Sequence, residues 1–525
     1  VRKQLRALIL RQGQIVSRAV TEEDSVYRLY YEFSQSVSRV QGHQILAMNR
    51  GEREGILSVS VVTDREQALP LLRRAVVQPG SAAMDFVKSA AEDAYDRLIY
   101  PSLEREVRNL LTEKAGEGAI GQFALNLKPL LMQPPVKGRV TMGLDPGYRM
   151  GCKVAVVDPT GKVLDTNVVY PVPEFKRVDQ AKKTIKAMVL KNGVEVMAIG
   201  NGTAGHETEE FAAEVIRELA DEKNLHLQYM VVSEAGASVY SASKLAAEEF
   251  PQFDVNLRSA VSIARRLQDP LAELVKIDPK AVGVGQYQHD MPQKRLNETL
   301  DGVVEDCVNS VGVDLNTASA PLLRRVAGVS AATAKNIVAW REEEGAFTSR
   351  AQLKKVKGLG PKAYEQCAGF LRINGGKNPL DATSVHPESY GPAQKLLEKL
   401  GYGVEDLAKG GISGLNKKIS GYGKLAGELG IGEVTLRDIV KELEKPGRDP
   451  REEMPKPILR TDVMEMKDLK PGMILQGTVR NVIDFGAFVD IGVHQDGLVH
   501  ISQITDRYIR HPLEAVSVGD IVEVK

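Results

Sequence analysis

The sequence predicts a multidomain, mainly α-helical protein that contains one α/β domain and ends in a small β-barrel. Three observations support this prediction. The chain has 525 residues, and at roughly 150 residues per domain this is enough for three or more domains. The hydrophobic period changes along the chain from helical to strand-like and back again. The last segment has short strands separated by glycine turns, as small barrels do.

Composition narrows the class of protein. Lys and Arg number 69, as do Asp and Glu, so the net charge is zero. This argues against a protein that coats polyanions by bulk charge, although local basic patches remain compatible. The three cysteines form no close pair, so neither a disulfide framework nor a zinc knuckle is expected, and a reducing, cytoplasmic location fits best. No window has about 18 consecutive apolar residues, so we expect no membrane span.

Residues 1–137 are predicted to form a helical region with a β-hairpin insertion. Apolar residues recur at spacings of three and four, and the hairpin is expected around Asn49-Arg50-Gly51. Pro134-Pro135 ends the helical pattern. The sequence begins inside a helical pattern and ends inside a strand pattern, so we expect further chain at both ends.

Residues 138–270 alternate between strands and helices, which predicts an α/β domain. Asp145 ends the first strand of this segment and Glu234 ends the last. Carboxylates at strand ends are candidate catalytic residues and ligands for Mg²⁺, which prefers oxygen. The alternative is structural, in which Asp145 forms a turn ahead of Pro146 and Glu234 caps the following helix.

The α/β segment resembles the YqgF domain, an RNase H-like domain of the Holliday-junction-resolvase type. Such nucleases usually supply further acids from a late helix, where this chain has Arg258 and Ser259. The resemblance therefore implies a nuclease fold with an incomplete acidic site. Asn201-Gly202-Thr203 follows a strand and precedes a helix, where backbone amides can bind an anion, but a plain connection is the more common role of such a turn.

Residues 271–378 contain two copies of one pattern, an apolar helix, a glycine hairpin and a second helix. Residues 310–375 hold ten Lys or Arg against five Asp or Glu, which suits contact with phosphates. The pattern resembles a tandem helix-hairpin-helix module, which binds the nucleic-acid backbone without reading bases. One hairpin could serve only for packing. The candidate binding residues are Gly328, Ser330 and Lys335 in the first hairpin, and Gly358, Gly360 and Lys362 in the second.

Residues 379–460 are predicted to be a helical connector, and residues 461–525 a truncated RNA-binding barrel. The pattern FGAFV followed by GLVHIS resembles the OB-fold module named after ribosomal protein S1. Exposed aromatic rings on such a barrel can stack bases. The candidate binding residues are Arg480, Phe485, Phe488 and His500, although Phe488 could instead belong to the barrel core.

The order of these parts resembles the Tex family of bacterial transcription accessory proteins, which is related to the eukaryotic elongation factor Spt-six. The resemblance implies a protein that acts in transcription and binds single-stranded RNA or DNA, with RNA polymerase or other transcription machinery as a partner. No cofactor is expected. The alternative is a metal-dependent nuclease that uses Asp145 and Glu234 with Mg²⁺. A ribosome-associated factor is a third hypothesis, which rests on the barrel alone.

Overall fold

The computed structural model describes residues 1–172, 177–454, 456–461, 466, 469–493 and 495–525. The chain divides into two compact units. The first contains residues 1–125 and 285–299, and the second contains residues 126–284 and 300–525. Among the described residues, no helix is both long enough and apolar enough to cross a lipid bilayer.

The first unit combines helices with a three-stranded antiparallel sheet of order β2-β1-β3. Its elements are α1 (Arg2–Gln12), β1 (Gln14–Ala19), β2 (Glu32–Ser36), α2 (Gly42–Arg53), β3 (Leu57–Val62), α3 (Arg65–Val76), α4 (Met84–Ala94) and the first part of α5 (Tyr100–Leu131). The prediction of a hairpin at Asn49-Arg50-Gly51 is wrong, because these residues lie in α2. Gly51 is needed there for packing, since a Cβ at this position would lie 2.6 Å from Cδ1 of Leu57.

The α/β domain of the second unit has a five-stranded sheet of order β6-β5-β4-β7-β8. β5 runs antiparallel to β4 and β6, and β4, β7 and β8 run parallel to one another. The sequence predicted these strands because they are apolar runs, and all five residues of β7 are buried. The elements are β4 (Thr141–Asp145), β5 (Cys152–Val157), β6 (Val163–Val169), α6 (Val178–Asn192), β7 (Val196–Gly200), α7 (Gly205–Lys223) and β8 (Gln228–Val232).

Five helices follow the sheet, and one of them packs against it. The helices are α8 (Ala237–Ser241), α9 (Lys244–Glu249), α10 (Val255–Gln268), α11 (Pro270–Leu274) and α12 (Gln293–Val311). α10 packs against β4, where Gly143 permits the close approach because a Cβ there would lie 2.9 Å from the Cβ of Ala264. This packing brings Ser259 of α10 to the end of β4.

The two predicted hairpin motifs are present, but the first helix of each is only one or two turns long. The elements are β9 (Val313–Asp314), α13 (Ala320–Leu323), α14 (Ala331–Glu344), a 3₁₀ helix at Arg350–Lys355, α15 (Pro361–Cys367) and β10 (Leu371–Arg372). β9 and β10 form a short parallel pair that the sequence did not predict.

The predicted connector contains α16 (Tyr390–Lys399), α17 (Tyr422–Leu429) and α18 (Glu433–Glu444), with 3₁₀ turns between them. These helices enclose their own apolar core, which includes Leu396, Leu436 and Leu443. The segment is therefore a packed helical body.

The C-terminal sheet has four antiparallel strands in the order β13-β12-β11-β14. The strands are β11 (Leu475–Ile483), β12 (Gly486–Asp490), β13 (Gly497–His500) and β14 (Ile521–Val524). Val479, Val482, Ala487 and Val489 form the interior of the sheet. The start of the predicted barrel segment, residues 462–465 and 467–468, lies outside the described residues.

Candidate nucleic-acid interface

The outer face of the C-terminal sheet carries the predicted aromatic residues. Ala487 and Val489 are 2% exposed and point inward, so Phe488 between them points outward because side chains alternate along a strand. Phe485 is 53% exposed, and Phe488 is half-buried. Phe488 therefore belongs to this outer face rather than to the barrel core.

The neighbouring strand extends the same face. His500 pairs with Gly486, and Leu498 pairs with Phe488. His500 is exposed, and its Nδ1 lies 2.9 Å from Oγ of Ser502. The strand pairing thus places Phe488 and His500 on one surface, and the exposed Phe485 lies in the turn that leads into β12. We call these three residues the barrel face; rings of this kind can stack bases.

Arg480 has a protein partner at the edge of the barrel face. A bulge in β11 places its Nη2 2.6 Å from Oδ2 of Asp490. Arg460 binds the other oxygen of Asp490 at 3.2 Å. Burial raises the pKa of Asp490, but the two guanidinium groups outweigh this effect and lower the pKa below its ordinary value. Asp496 and Glu209 also lie close enough to interact with these charges, so Arg480 is engaged by acidic groups of the protein.

A further aromatic residue of this domain was missed in the sequence analysis. Tyr508 is 90% exposed and lies between Arg507 and Arg510, both of which are exposed. His511 connects this loop to the turn beside Phe485, since its Nε2 lies 3.2 Å from Oδ1 of Asp484. The signal was an aromatic residue between two arginines, but the segment has no strand pattern that would have predicted exposure.

The two central hairpins share one backbone conformation. Gly328 and Gly358 have φ of 79° and 85°, in the left-handed region that favours glycine. The residues two positions later, Ser330 and Gly360, have φ of −78° and −75° and are the N-caps of α14 and α15. Each hairpin therefore leads into a helix N-terminus, an arrangement suited to phosphate, although Pro361 at the start of α15 has no amide hydrogen.

The hairpins also pack against each other's helices. A Cβ at Gly328 would lie 2.7 Å from Cβ of Gln366 in α15. In return, Asn336 of α14 donates from Nδ2 to the carbonyl oxygen of Lys357 at 2.7 Å. Gly328 thus has a packing role, and the binding role of both glycines stays a prediction.

The polar side chains of the two hairpins differ in what they contact. Ser330 caps α14, because its Oγ accepts from the amide of Thr333 at 3.1 Å. Lys335 and Lys362 are exposed, and neither forms an ion pair within the part of the chain that the structure describes. Both lysines are placed to meet a phosphate next to their hairpins.

A third hairpin with the same conformation lies in the segment predicted as a connector. Gly430 has φ of 70°, and Gly432 has φ of −72° and begins α18. Its first helical residue is Glu433, which binds Arg437 at 2.6 Å. The repeated Gly-x-Gly spacing was the signal that would have identified it. The acid in the first turn distinguishes this hairpin from the other two.

The first of the two acidic candidates, Asp145, is largely enclosed. Its Oδ2 accepts a hydrogen bond from Oγ of Ser259, and Lys153 lies opposite it on β5 and is 8% exposed. Burial raises the pKa of Asp145, and the Ser259 hydrogen bond and the Lys153 charge offset this only in part. The Asp145 side chain therefore contacts α10. The structural alternative from the sequence placed this residue in a turn ahead of Pro146.

Glu234 lies beside Asp145 in a recess made by two glycines. A Cβ at Gly200 would lie 2.8 Å from Oε2 of Glu234, and one at Gly202 would overlap the carboxylate. Burial raises the pKa of Glu234, and the charge of Asp145 raises it further. Gly236 begins the next helix, so the alternative in which Glu234 caps that helix is wrong.

These groups do not fit the metal site of a nuclease. Asp145 is occupied by Ser259 and Lys153, and Glu234 is held against Gly202. In the described ranges, no three or more His, Cys, Asp or Glu side chains cluster so as to hold a metal ion. A lysine ammonium beside the first carboxylate also opposes the approach of a cation.

The turn Asn201-Gly202-Thr203 has a structural explanation. Oδ1 of Asn201 accepts from the amide of Glu234 at 3.0 Å, and Gly202 leaves room for the Glu234 side chain. The turn thus holds Glu234 in place.

Comparison with protein-family models matches five segments of the chain. Residues 1–123 match the Tex central region-like model, and residues 139–268 match the Tex protein YqgF-like domain. Residues 308–372 match the helix-hairpin-helix motif, and residues 378–451 match a second HHH domain. Residues 468–525 match the S1 RNA binding domain.

Similar proteins are found across distant organisms. The chain is 52% identical to protein YdcI of Bacillus subtilis, with 100% of this chain and 73% of the relative aligned. It is 48% identical to the transcriptional accessory protein Tex of Neisseria gonorrhoeae, with 98% of this chain and 67% of the relative aligned. It is 41% identical to the human S1 RNA-binding domain-containing protein 1, with 97% of this chain and 57% of the relative aligned.

Proposed function

Because the chain belongs to the Tex family of transcriptional accessory proteins, we propose that it binds single-stranded RNA or DNA during transcription without cleaving it. The observation that carries this proposal is the barrel face, where Phe485 and His500 are exposed and Phe488 is half-buried on the outer side of β12. Base stacking on aromatic rings contributes about 1–3 kcal/mol per base and tolerates any sequence.

The two central hairpins supply the second part of the proposed interaction. Lys335 and Lys362 stand beside helix N-termini that begin at Ser330 and Gly360. Contacts of this kind hold the backbone and carry no base information. Two weak sites on one chain strengthen each other when a strand can reach both, because the second contact becomes intramolecular.

The absence of cleavage is part of the proposal. The late-helix position that would supply an acid holds Ser259, whose hydroxyl binds Asp145. Without this acid the site lacks a ligand for the metal ions of two-metal hydrolysis. A bound phosphodiester would therefore meet too little positive charge to be cleaved in this way. We propose that no metal or other cofactor takes part in the function.

The partners and the cellular location of the protein are also part of the proposal. Gonococcal Tex is named a transcriptional accessory protein, and we propose that this chain likewise meets RNA polymerase or its nascent transcript. All three cysteines are buried free thiols, as suits a reducing cytoplasm. Co-purification of polymerase that survives nuclease treatment would support a direct contact.

A salt series tests the binding proposal. Affinities for RNA, single-stranded DNA and duplex DNA are measured for the unaltered chain, for Phe485→Ala/Phe488→Ala and for Lys335→Ala/Lys362→Ala. Loss of two phosphate contacts should reduce the slope of log affinity against log salt by about 1.4 for a single strand. Loss of the rings should lower affinity at every salt concentration and leave the slope unchanged.

The reverse pattern, or no change in either variant, would show that the assigned residues do not bind. Lys223→Ala is a matched control, because Lys223 is an exposed cation at the far end of α7. It should leave both the affinity and the slope unchanged.

A further inference from the structure

The edge of the RNase H-like sheet that holds Asp145 also carries exposed residues that the proposed function does not use. The loop between β4 and β5 exposes Tyr148, Arg149 and Met150, and Met150 is 64% exposed. Arg149 has no hydrogen-bonding or ionic partner within the described ranges. The loop thus presents a cation next to an aromatic ring, a combination that can meet both the phosphates and the bases of a polynucleotide.

A second aromatic and arginine pair lies at the same edge. Tyr170 directly follows β6, and its Cε1 would lie 3.1 Å from a Cβ placed at Gly151. The guanidinium of Arg177 stands over the Tyr170 ring, 5.3 Å from its centroid. Both sides of the loop therefore combine a flat ring with a cation.

Most of the acidic side chains at this end of the sheet are enclosed or bound to other groups of the protein. Asp145 is enclosed beneath the loop with Lys153, whose Nζ would lie 3.3 Å from a Cβ at Gly147. Glu207 binds the hydroxyl of Tyr148. Asp179, in the first turn of α6, is the exposed acid nearest in sequence to Arg177. The cations at the surface thus face less opposing charge than the number of acids in the sequence suggests.

We propose that Arg149 and Arg177, with the rings of Tyr148 and Tyr170, form a second contact for a single-stranded polynucleotide on the RNase H-like domain. The arginines meet phosphates and the tyrosines offer stacking surfaces. This inference rests on the proposed binding function and extends it. The nuclease fold would then retain a strand-binding edge in the absence of a cleavage site.

Strand length distinguishes this contact from the barrel face. One OB fold covers about 4–16 nucleotides, so a 6-nucleotide strand is compared with a 30-nucleotide strand. Arg149→Ala/Arg177→Ala should weaken binding of the long strand on the order of 10-fold at low salt and reduce its salt slope by about 1.4. Binding of the short strand should not change.

The controls separate this inference from the proposed function. Lys191→Ala/Lys223→Ala removes two exposed cations from the far ends of α6 and α7 and should change neither strand. Phe485→Ala/Phe488→Ala should weaken both strands; if it weakens neither, the proposed function fails instead. Equal binding of the long strand by Arg149→Ala/Arg177→Ala and the unaltered chain would overturn the inference and leave this edge as a protein-docking surface. Equal loss for both lengths would also overturn it, because the effect would not depend on reach.

Discussion

The hydroxyl of Ser259 donates a hydrogen bond to Oδ2 of Asp145. This contact joins α10 to the end of β4, at the position where an RNase H-like nuclease would carry another acid. With Lys153 across the strand pair, it leaves Asp145 without the electrostatic surroundings that a metal ion needs. The half-buried Asp145 is therefore held by other side chains of the same domain.

The first prediction concerns cleavage. Structured and single-stranded substrates incubated with Mg²⁺ or Mn²⁺ should remain intact, because Ser259 binds Asp145 and the described residues hold no cluster of three or more His, Cys, Asp or Glu side chains for a metal ion. Intact substrate is measured on denaturing gels. Metal-dependent cleavage that Asp145→Ala abolishes would contradict the non-catalytic account.

The second prediction concerns the pH dependence of stability. Because the pKa of Asp145 is raised, the folded protein binds this proton more tightly than the unfolded chain does. Stability from this group is therefore greatest below its unfolded pKa and falls as pH rises through the folded pKa. Asp145→Asn should lose less stability than the unaltered chain between pH 4 and pH 7.

Urea unfolding at each pH provides the measurement. Asp179→Asn is a suitable control, since Asp179 is exposed and the substitution removes the same charge. A parallel decline for the unaltered chain and Asp145→Asn would mean that the Asp145 carboxyl is not perturbed by burial.

The third prediction compares the glycines of the two hairpins. Gly328→Ala and Gly358→Ala both force a side chain into the left-handed region, at a cost of about 1–2 kcal/mol. Gly328→Ala should cost more, because its Cβ would meet Gln366 at 2.7 Å, whereas the nearest atoms to a Cβ at Gly358 are 3.6 Å away. Chemical denaturation measures the difference, and equal losses would contradict the reciprocal packing of the hairpins.

The fourth prediction concerns the third hairpin. Glu433 places a negative charge in the first turn of α18, so we expect no phosphate contact at this hairpin. Glu433→Lys should raise nucleic-acid affinity and increase the salt slope, because it gives the hairpin the charge of the other two. Asp438→Lys makes the same charge change at an exposed position further along α18. An equal gain from both variants would mean that net charge alone, rather than hairpin geometry, produced the effect.

Much of the fold could be predicted from local patterns. The apolar run at Val196–Gly200 predicted a central strand because parallel strands are buried on both faces. The Gly-x-Ser and Gly-x-Gly turns predicted the central hairpins because the left-handed φ at Gly328 and Gly358 favours glycine. The same reasoning applied to Gly430-Ile431-Gly432 would have identified the third.

Other features depend on contacts that are distant in sequence. Asn49-Arg50-Gly51 has the composition of a turn, but these residues lie in α2, and the glycine is explained by Leu57, which occupies the space beside it. Arg480 was predicted as a phosphate contact, and its ion pair with Asp490 depends on a bulge in β11 that no local signal marks. The hydrogen bond that holds Asp145 likewise depends on Ser259, which lies 114 residues away in the sequence.

The most direct test of the account is photocrosslinking of the full chain to a bound single-stranded oligonucleotide, followed by identification of the modified peptides. We predict crosslinks in the peptides that contain Phe485 and Phe488, and in those that contain the hairpins at Gly328 and Gly358. Crosslinks confined to the first unit, residues 1–125 and 285–299, would contradict the central claim that these two regions hold the strand.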